Sequence, residues 1–113
     1  MILCRGEIWL INLNPSKKPN EVAKIRPALI LQNDELNDSK YPTTIILPMT
    51  THLIDDAEPL RYRINSRDKL QKKSDILIAH IRAIDNNRFI EKLSSLNDSE
   101  LKEVKLLLDE LLL

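Results

Sequence analysis

Glycine is nearly absent from this 113-residue chain: there is one, Gly6. Loops that cradle phosphate groups with bare backbone need several glycines, so P-loop and dinucleotide-binding chemistry are excluded. Cysteine is equally scarce. Cys4 stands alone, which rules out an internal disulfide or a thiolate metal cluster and points to a reducing compartment, the cytoplasm. No apolar run approaches the roughly 18 residues of a membrane span. The opening MILCRGEIW also lacks the apolar core of a secretion signal, so no membrane association is expected. Net charge is missing too, with 17 Lys+Arg against 17 Asp+Glu. On its face that argues against a nucleic-acid partner. Valine is rare at 2 residues, but 14 Ile and 20 Leu supply ample core material for one folded domain.

The zero charge is unevenly built. Residues 1–93 carry 15 basic and 12 acidic side chains, whereas residues 94–113 carry 2 and 5. Either this is ordinary surface scatter, or a basic body presents a face to phosphates while an acidic helix looks elsewhere. Composition does not separate the two.

The body reads as strands. EIWLINL at 7–13 closes on Asn14-Pro15, PALILQN at 27–33 opens with a proline, and TTIILPM at 43–49 carries Pro48, which implies an edge or a bulge near its end. The intervening 34–42 reads as loop. In PLRYRIN at 59–65, Leu60, Tyr62 and Ile64 alternate with Arg61 and Arg63 in the period of a half-buried strand. DILIAHI at 75–81 is aliphatic enough to be buried on both faces, and a short strand is expected around 88–91. With glycine lacking, turns fall to the nine Asn residues and to Pro and Asp. The tail changes period. Asn97 is a fitting N-cap with Glu100 at the third helical position, and Leu101, Val104, Leu108 and Leu111 then recur at helical spacing, predicting a helix over about 97–112. Leu106, Leu107, Leu112 and Leu113 widen its apolar surface, for the body or for an oligomer contact. The expected fold is mainly β with a C-terminal helix: a small barrel over 1–93 and a packed helix.

Four segments in order carry a resemblance: RGEIWLINLNP at 5–15, NEVAKIRPALILQND at 20–34, IILPMT at 45–50 and KSDILIAHIRAIDNNRF at 73–89. Together they resemble the MazF/PemK (Kid) family of toxin endoribonucleases over nearly the whole chain. The resemblance implies an SH3-like barrel that forms a homodimer, binds single-stranded RNA and is held in check by a cognate antitoxin. It implies cleavage at short sequence motifs with no metal and no cofactor. Residue by residue, it places Arg26, Thr50 and Glu21 in the catalytic set, and Asn20, Lys24, Thr51, Ser74, His80 and Arg82 as RNA contacts, with Asp85 beside the groove.

These residue types suit the chemistry. RNA is cut without metal when its own 2′-OH attacks the adjacent phosphorus, leaving a 2′,3′-cyclic phosphate and a 5′-OH. The step needs a proton acceptor, a donor for the leaving oxygen and positive charge on the phosphorane. Arg26 offers a planar fork of donors that stays charged, so it is cast as transition-state stabiliser. Thr50 can donate to a non-bridging oxygen. Glu21 is the carboxylate base, or else it orients Arg26 and reads a base edge. Plainer readings stand beside these: Arg26 paired with Glu21 at the surface, Thr50 bonded to backbone, and an Arg82–Asp85 salt bridge at a strand end. Trp9 reads as core and Cys4 as inert.

Two departures stand out. Where relatives carry a glycine-containing loop, this chain has Lys18-Pro19-Asn20-Glu21-Val22, and His80 replaces a common glutamine. Loop closure and base preference are the properties those changes touch, since histidine can bond or stack a base and can change charge near neutral pH. His52, near Thr50, offers a two-histidine mechanism that ranks below the arginine one. Two non-enzymatic alternatives are a CcdB-type gyrase inhibitor on the same barrel and a paralogue that only binds RNA or antitoxin.

Overall fold

In a computed structural model of the protein, the structure is described for residues 2–13 and 24–112. Seven strands form a curled antiparallel sheet: β1 (Glu7–Asn12), β2 (Ile25–Ile30), β3 (Thr43–Thr50), β4 (Arg61–Ile64), β5 (Ser74–Leu77), β6 (Arg82–Asp85) and β7 (Phe89–Ser95). Two helices accompany them, α1 (Asp34–Asp38) and α2 (Asp98–Leu112). The strand order is β4-β5-β3-β2-β1-β7, with β6 added to β3. The two edges approach through the loop after β4. There Lys69 N–H donates to Leu93 O at 3.0 Å, and Ser94 Oγ donates to an Asp68 carboxylate oxygen at 2.7 Å. This seam completes the expected barrel.

The aliphatic runs have a simple cause: the sheet is covered on both faces. Alternate residues of β1 belong to different cores, Ile8 to one and Trp9 and Ile11 to the other. Leu29, Leu47, Met49, Ile64 and Ile76 fill the interior beneath α2, which contributes Val104 and Leu107. Ala28, Ile30, Ile46, Ile84 and Phe89 form the second cluster, where Trp9 meets Phe89 edge-on at 5.9 Å. Strands buried on both sides lose the alternating pattern and read as continuous apolar sequence.

Several sequence expectations shift in position. β2 begins at Ile25, so Pro27 lies inside the strand rather than opening it. The 34–42 stretch holds the short helix α1, capped by Asn33, whose side-chain oxygen accepts from Leu36 N–H at 2.9 Å. The 75–81 run is not one strand: β5 stops at Leu77, a 3-10 turn covers Ile78–His80, and β6 follows. The strand near residue 88 extends to Ser95. Pro48 is neither at an edge nor at a bulge, because β3 is central. Its residues Thr43 to Ile46 pair with β6 and Met49 to Thr50 with β5. Pro48 sits in the gap between these partners, where a missing N–H costs no ladder bond on that side.

Turn geometry also differs. Left-handed backbone is taken by Lys40, Asp56, Asp68 and Gly6, and by no asparagine among the described residues. Asn33 and Asn97 act as helix caps instead. Around Asn97 the capping box is complete: Asn97 Oδ1 accepts from Glu100 N–H at 2.8 Å, and Glu100 accepts from Asn97 N–H at 3.0 Å. Arg67 then grips the same carboxylate at 2.5 and 2.7 Å. Of the extra leucines on α2, Leu107 is core, while Leu106 and Leu112 are exposed.

Candidate nucleic-acid interface

Arg26 lies on β2 and Thr50 ends β3, the strand beside it. The two strands pair Ala28 with Pro48. Followed two residues further, that register sets Arg26 across from Thr50, and the step of two keeps both on one face. Both side chains are half-buried and line a groove of about 280 Å³. Lys24, just ahead of β2, joins them. From far along the chain come His80, at the end of the 3-10 turn, and Arg82, at the start of β6 and opposite Ile46 of β3.

The groove also holds two residues that the motif reading left outside the principal set. His52 follows Thr50 in a tight turn, where its N–H donates to Thr50 Oγ1 at 3.1 Å. That contact leaves the Thr50 hydroxyl proton available to another acceptor. Arg61, the first residue of β4, donates from one terminal nitrogen to His52 O at 2.8 Å and to Asp75 at 3.1 Å. A signal for Arg61 was in the sequence. Arg61 and Arg63 share one face of an alternating strand, and a lone Asp75 stands in an otherwise aliphatic segment, which requires a cationic partner. The side chain of Asp75 is 1% exposed.

No Asp or Glu is among the described residues lining the groove, whereas Lys24, Arg26, Arg61 and Arg82 all do so. Lys24, Arg26 and Arg82 have no ion pair with any described residue. Leu13 and Leu77, both half-buried, supply apolar surface against which a base can lie. Such a groove favours a polyanion whose charges alternate with flat apolar rings.

Other expected contacts fall elsewhere. Ser74 is fully buried, and its hydroxyl donates to Lys72 O at 2.9 Å. With exposed Thr51 it lines a separate depression beside Leu10 and Pro27, not the Arg26 groove. Asp85 is exposed, and no ion pair joins it to Arg82. Glu21, Asn20 and the Lys18–Val22 loop lie outside the described residues, as does any Glu21–Arg26 pair. Trp9 is core, its indole N–H donating to Glu7 at 3.0 Å. Burial and the nearby carboxylates of Glu7, Asp34 and Asp38 push the Cys4 thiol up, which disfavours the nucleophilic thiolate.

Fold and groove together define a class: a small antiparallel β-barrel with a C-terminal helix and a basic cleft at one end of its central strands. Comparison with known proteins makes the class specific. Residues 4–112 match the model of the PemK-like, MazF-like toxin of type II toxin–antitoxin systems, and the chain belongs to that family. An endoribonuclease MazF of Staphylococcus saprophyticus is 41% identical over 107 residues, spanning 93% of this chain and 87% of that relative. A MazE–MazF crystal structure from Deinococcus radiodurans has the same fold, with TM-score 0.81 and 23% identity over 99% of this chain and 96% of that one. Mycobacterium tuberculosis toxin MazF-mt6 superposes at TM-score 0.75 with 15% identity, over 92% and 93% of the two chains.

Proposed function

We propose that this protein is an endoribonuclease toxin that cuts single-stranded RNA without metal, using the substrate's own 2′-OH as nucleophile. The observation that carries the reading is the convergence of Arg26 and Thr50 from neighbouring strands into a groove with four cationic side chains. In this reading Arg26 stabilises the charge that develops on the phosphorane oxygens, its guanidinium being uncommitted to any described carboxylate. Thr50 donates its hydroxyl to a non-bridging oxygen, while His52 N–H fixes the position of its oxygen. Lys24 and Arg82 hold flanking phosphates, and His80 meets a base at the groove wall. Glu21 takes the 2′ proton or orients Arg26. As the bond from the 2′ oxygen to phosphorus forms, the P–O5′ bond breaks and the departing oxygen takes a proton from solvent, giving a 2′,3′-cyclic phosphate and a 5′-OH.

The S. saprophyticus relative is named an endoribonuclease, and one solved relative is an endoribonuclease in complex with its cognate antitoxin. We extend both properties to this chain: cleavage of mRNA that halts translation and growth, in the cytoplasm, by a homodimer restrained by an antitoxin. No described helix is long and apolar enough to cross a membrane. The test is incubation of purified protein with mixed-sequence single-stranded RNA in excess EDTA, followed by end mapping. Fragments bearing 5′-OH ends, lost in Arg26→Ala and Thr50→Ala, are the expected result. Intact RNA at high enzyme concentration, or cleavage that both variants retain, would overturn it.

A further inference from the structure

Next to the groove lies a buried ion-pair cluster that the chemistry at Arg26 does not use. The Asp75 carboxylate accepts from Arg61 at 3.1 Å, from Arg63 Nε at 2.9 Å and from Ile54 N–H at 3.0 Å. Asp75 is also the cross-strand partner of Thr50. A single carboxylate on β5 thus ties together β4 and the turn after β3, beside the end of β3 that carries the Thr50 hydroxyl. A side chain buried to 1% exposure needs at least one cationic partner, but not two. Arg63 lies directly opposite Asp75 in the ladder and satisfies that need alone.

Arg61 is therefore the surplus cation, and its geometry is informative. One terminal nitrogen is committed to Asp75 and His52 O, while Nε and the second terminal nitrogen have no partner among the described residues. The guanidinium is held yet retains donors, at 20% side-chain exposure. Arg61 lines two cavities at once. One is the basic groove, and the other, of about 390 Å³, is rimmed by Asp56 and Glu58. Arg63 and Asp75 line the second cavity too, but among the described residues carboxylates line only that one, so a phosphate is favoured on the first side.

We infer that Arg61, held in place by the buried Asp75 carboxylate, grips an RNA phosphate flanking the scissile one and marks the end of the phosphate track in the groove. Asp75 is a positioning residue: it touches no RNA and acts through Arg61. This inference rests on the ribonuclease reading above and adds one more phosphate contact to those given to Arg26, Lys24 and Arg82. Preorganised arginine forks lose little freedom when they bind phosphate, so the contact contributes binding energy rather than chemistry.

The test is a cycle between protein and substrate. Short RNAs with one mapped cleavage site are made with a single uncharged methylphosphonate at successive linkages around that site, each placed at an inert 2′-deoxy position. In wild-type protein, neutralising the linkage that Arg61 holds raises KM roughly tenfold, the loss expected for one charge-assisted hydrogen bond. In Arg61→Ala, KM is already raised roughly tenfold with kcat little changed, and the same methylphosphonate adds nothing. The plot of log affinity against log salt becomes shallower by about 0.7, one phosphate contact on a single strand. Arg61→Lys recovers part of the loss. Asp75→Asn also shrinks the methylphosphonate effect while Arg61 is intact. Arg61→Ala leaves Asp75 paired with Arg63, so its melting temperature should match wild type closely. If each methylphosphonate costs Arg61→Ala as much as wild type, or if KM and salt slope are unchanged, the assignment of Arg61 is overturned while the ribonuclease reading stands. RNA left intact by wild-type protein overturns both.

Discussion

Cations play opposite parts in two regions of this molecule. Around the groove, Lys24, Arg26 and Arg82 face solvent with no described carboxylate to meet them. Between neighbouring strands, across the seam and at the helix start, cations are paired: Arg63 with Asp75, Lys92 with Glu7, Lys69 with Glu91, and Arg67 with Glu100. The contrast explains how a chain of zero formal charge presents a basic face. Net charge is a property of the whole chain, whereas binding depends on which charges are left unpaired and how closely they stand. It also separates two jobs. Paired charges join elements of the barrel, and uncommitted ones are free to meet an anion.

The sharpest way to break this contrast is to remove one member from each side. Arg26→Ala should lower single-turnover RNA cleavage by about 10²–10³-fold, the loss typical of one transition-state donor, with an unchanged thermal melt. A large fall in melting temperature would show instead that Arg26 is structural. Asp75→Ala should do the reverse to stability, costing about 2–4 kcal/mol in a denaturant titration, because two arginines lose a buried partner. The lower end of the usual range applies, since Arg61 and Arg63 stay partly solvated. A loss under about 0.5 kcal/mol, within the ordinary range for surface changes, would contradict that role.

Acid should erode the paired side selectively. Burial pushes the Asp75 carboxyl up, but hydrogen bonds from Arg63, Ile54 N–H and Arg61 outweigh it and leave the carboxyl below its ordinary value. Glu7, against burial, is lowered by Trp9, Lys92 and Cys4 N–H, and Glu100 is lowered by Arg67 and Asn97 N–H. Each folded carboxyl binds its proton more weakly than the unfolded one. Their stabilisation is therefore fully present above about pH 4.5, the top of the unfolded range, and is lost as pH falls through the lower folded values. Melting temperature followed from pH 7 to about pH 2 checks this, and a flat profile below about pH 4 would refute it. The smallest effect is Asn97→Ala. Removing the cap oxygen should cost about 1 kcal/mol, a melting shift of roughly 4 °C, without altering RNA cleavage.

Much of the architecture was readable in advance because it is written locally. The helix start shows in Asn97 and Glu100, three residues apart, and the cores show in runs such as IWLI and ALIL. The same locality explains the misplacements. DILIAHI is uniformly aliphatic whether it is one strand or a strand, a turn and another strand. Its division at Leu77 answers to β3, which exchanges one partner for another around Pro48. Thr50 and Thr51 look equivalent in the sequence, yet one lines the groove and the other does not. Ser74, an RNA contact by resemblance, is fully buried on β5, which lies between β3 and β4.

The sequence by itself determined the composition of the core, the position and capping of α2, and the motifs that mark the family. Each of these is an interaction between near neighbours or a match of residues in order. Only the tertiary structure decided which charges remain uncommitted. That outcome depends on strand register across long separations, where a step of one residue would turn a side chain to the other face of the sheet. Register carried His80 and Arg82 to Arg26 and Thr50, bound Arg63 to Asp75, and left Arg61 with donors to spare.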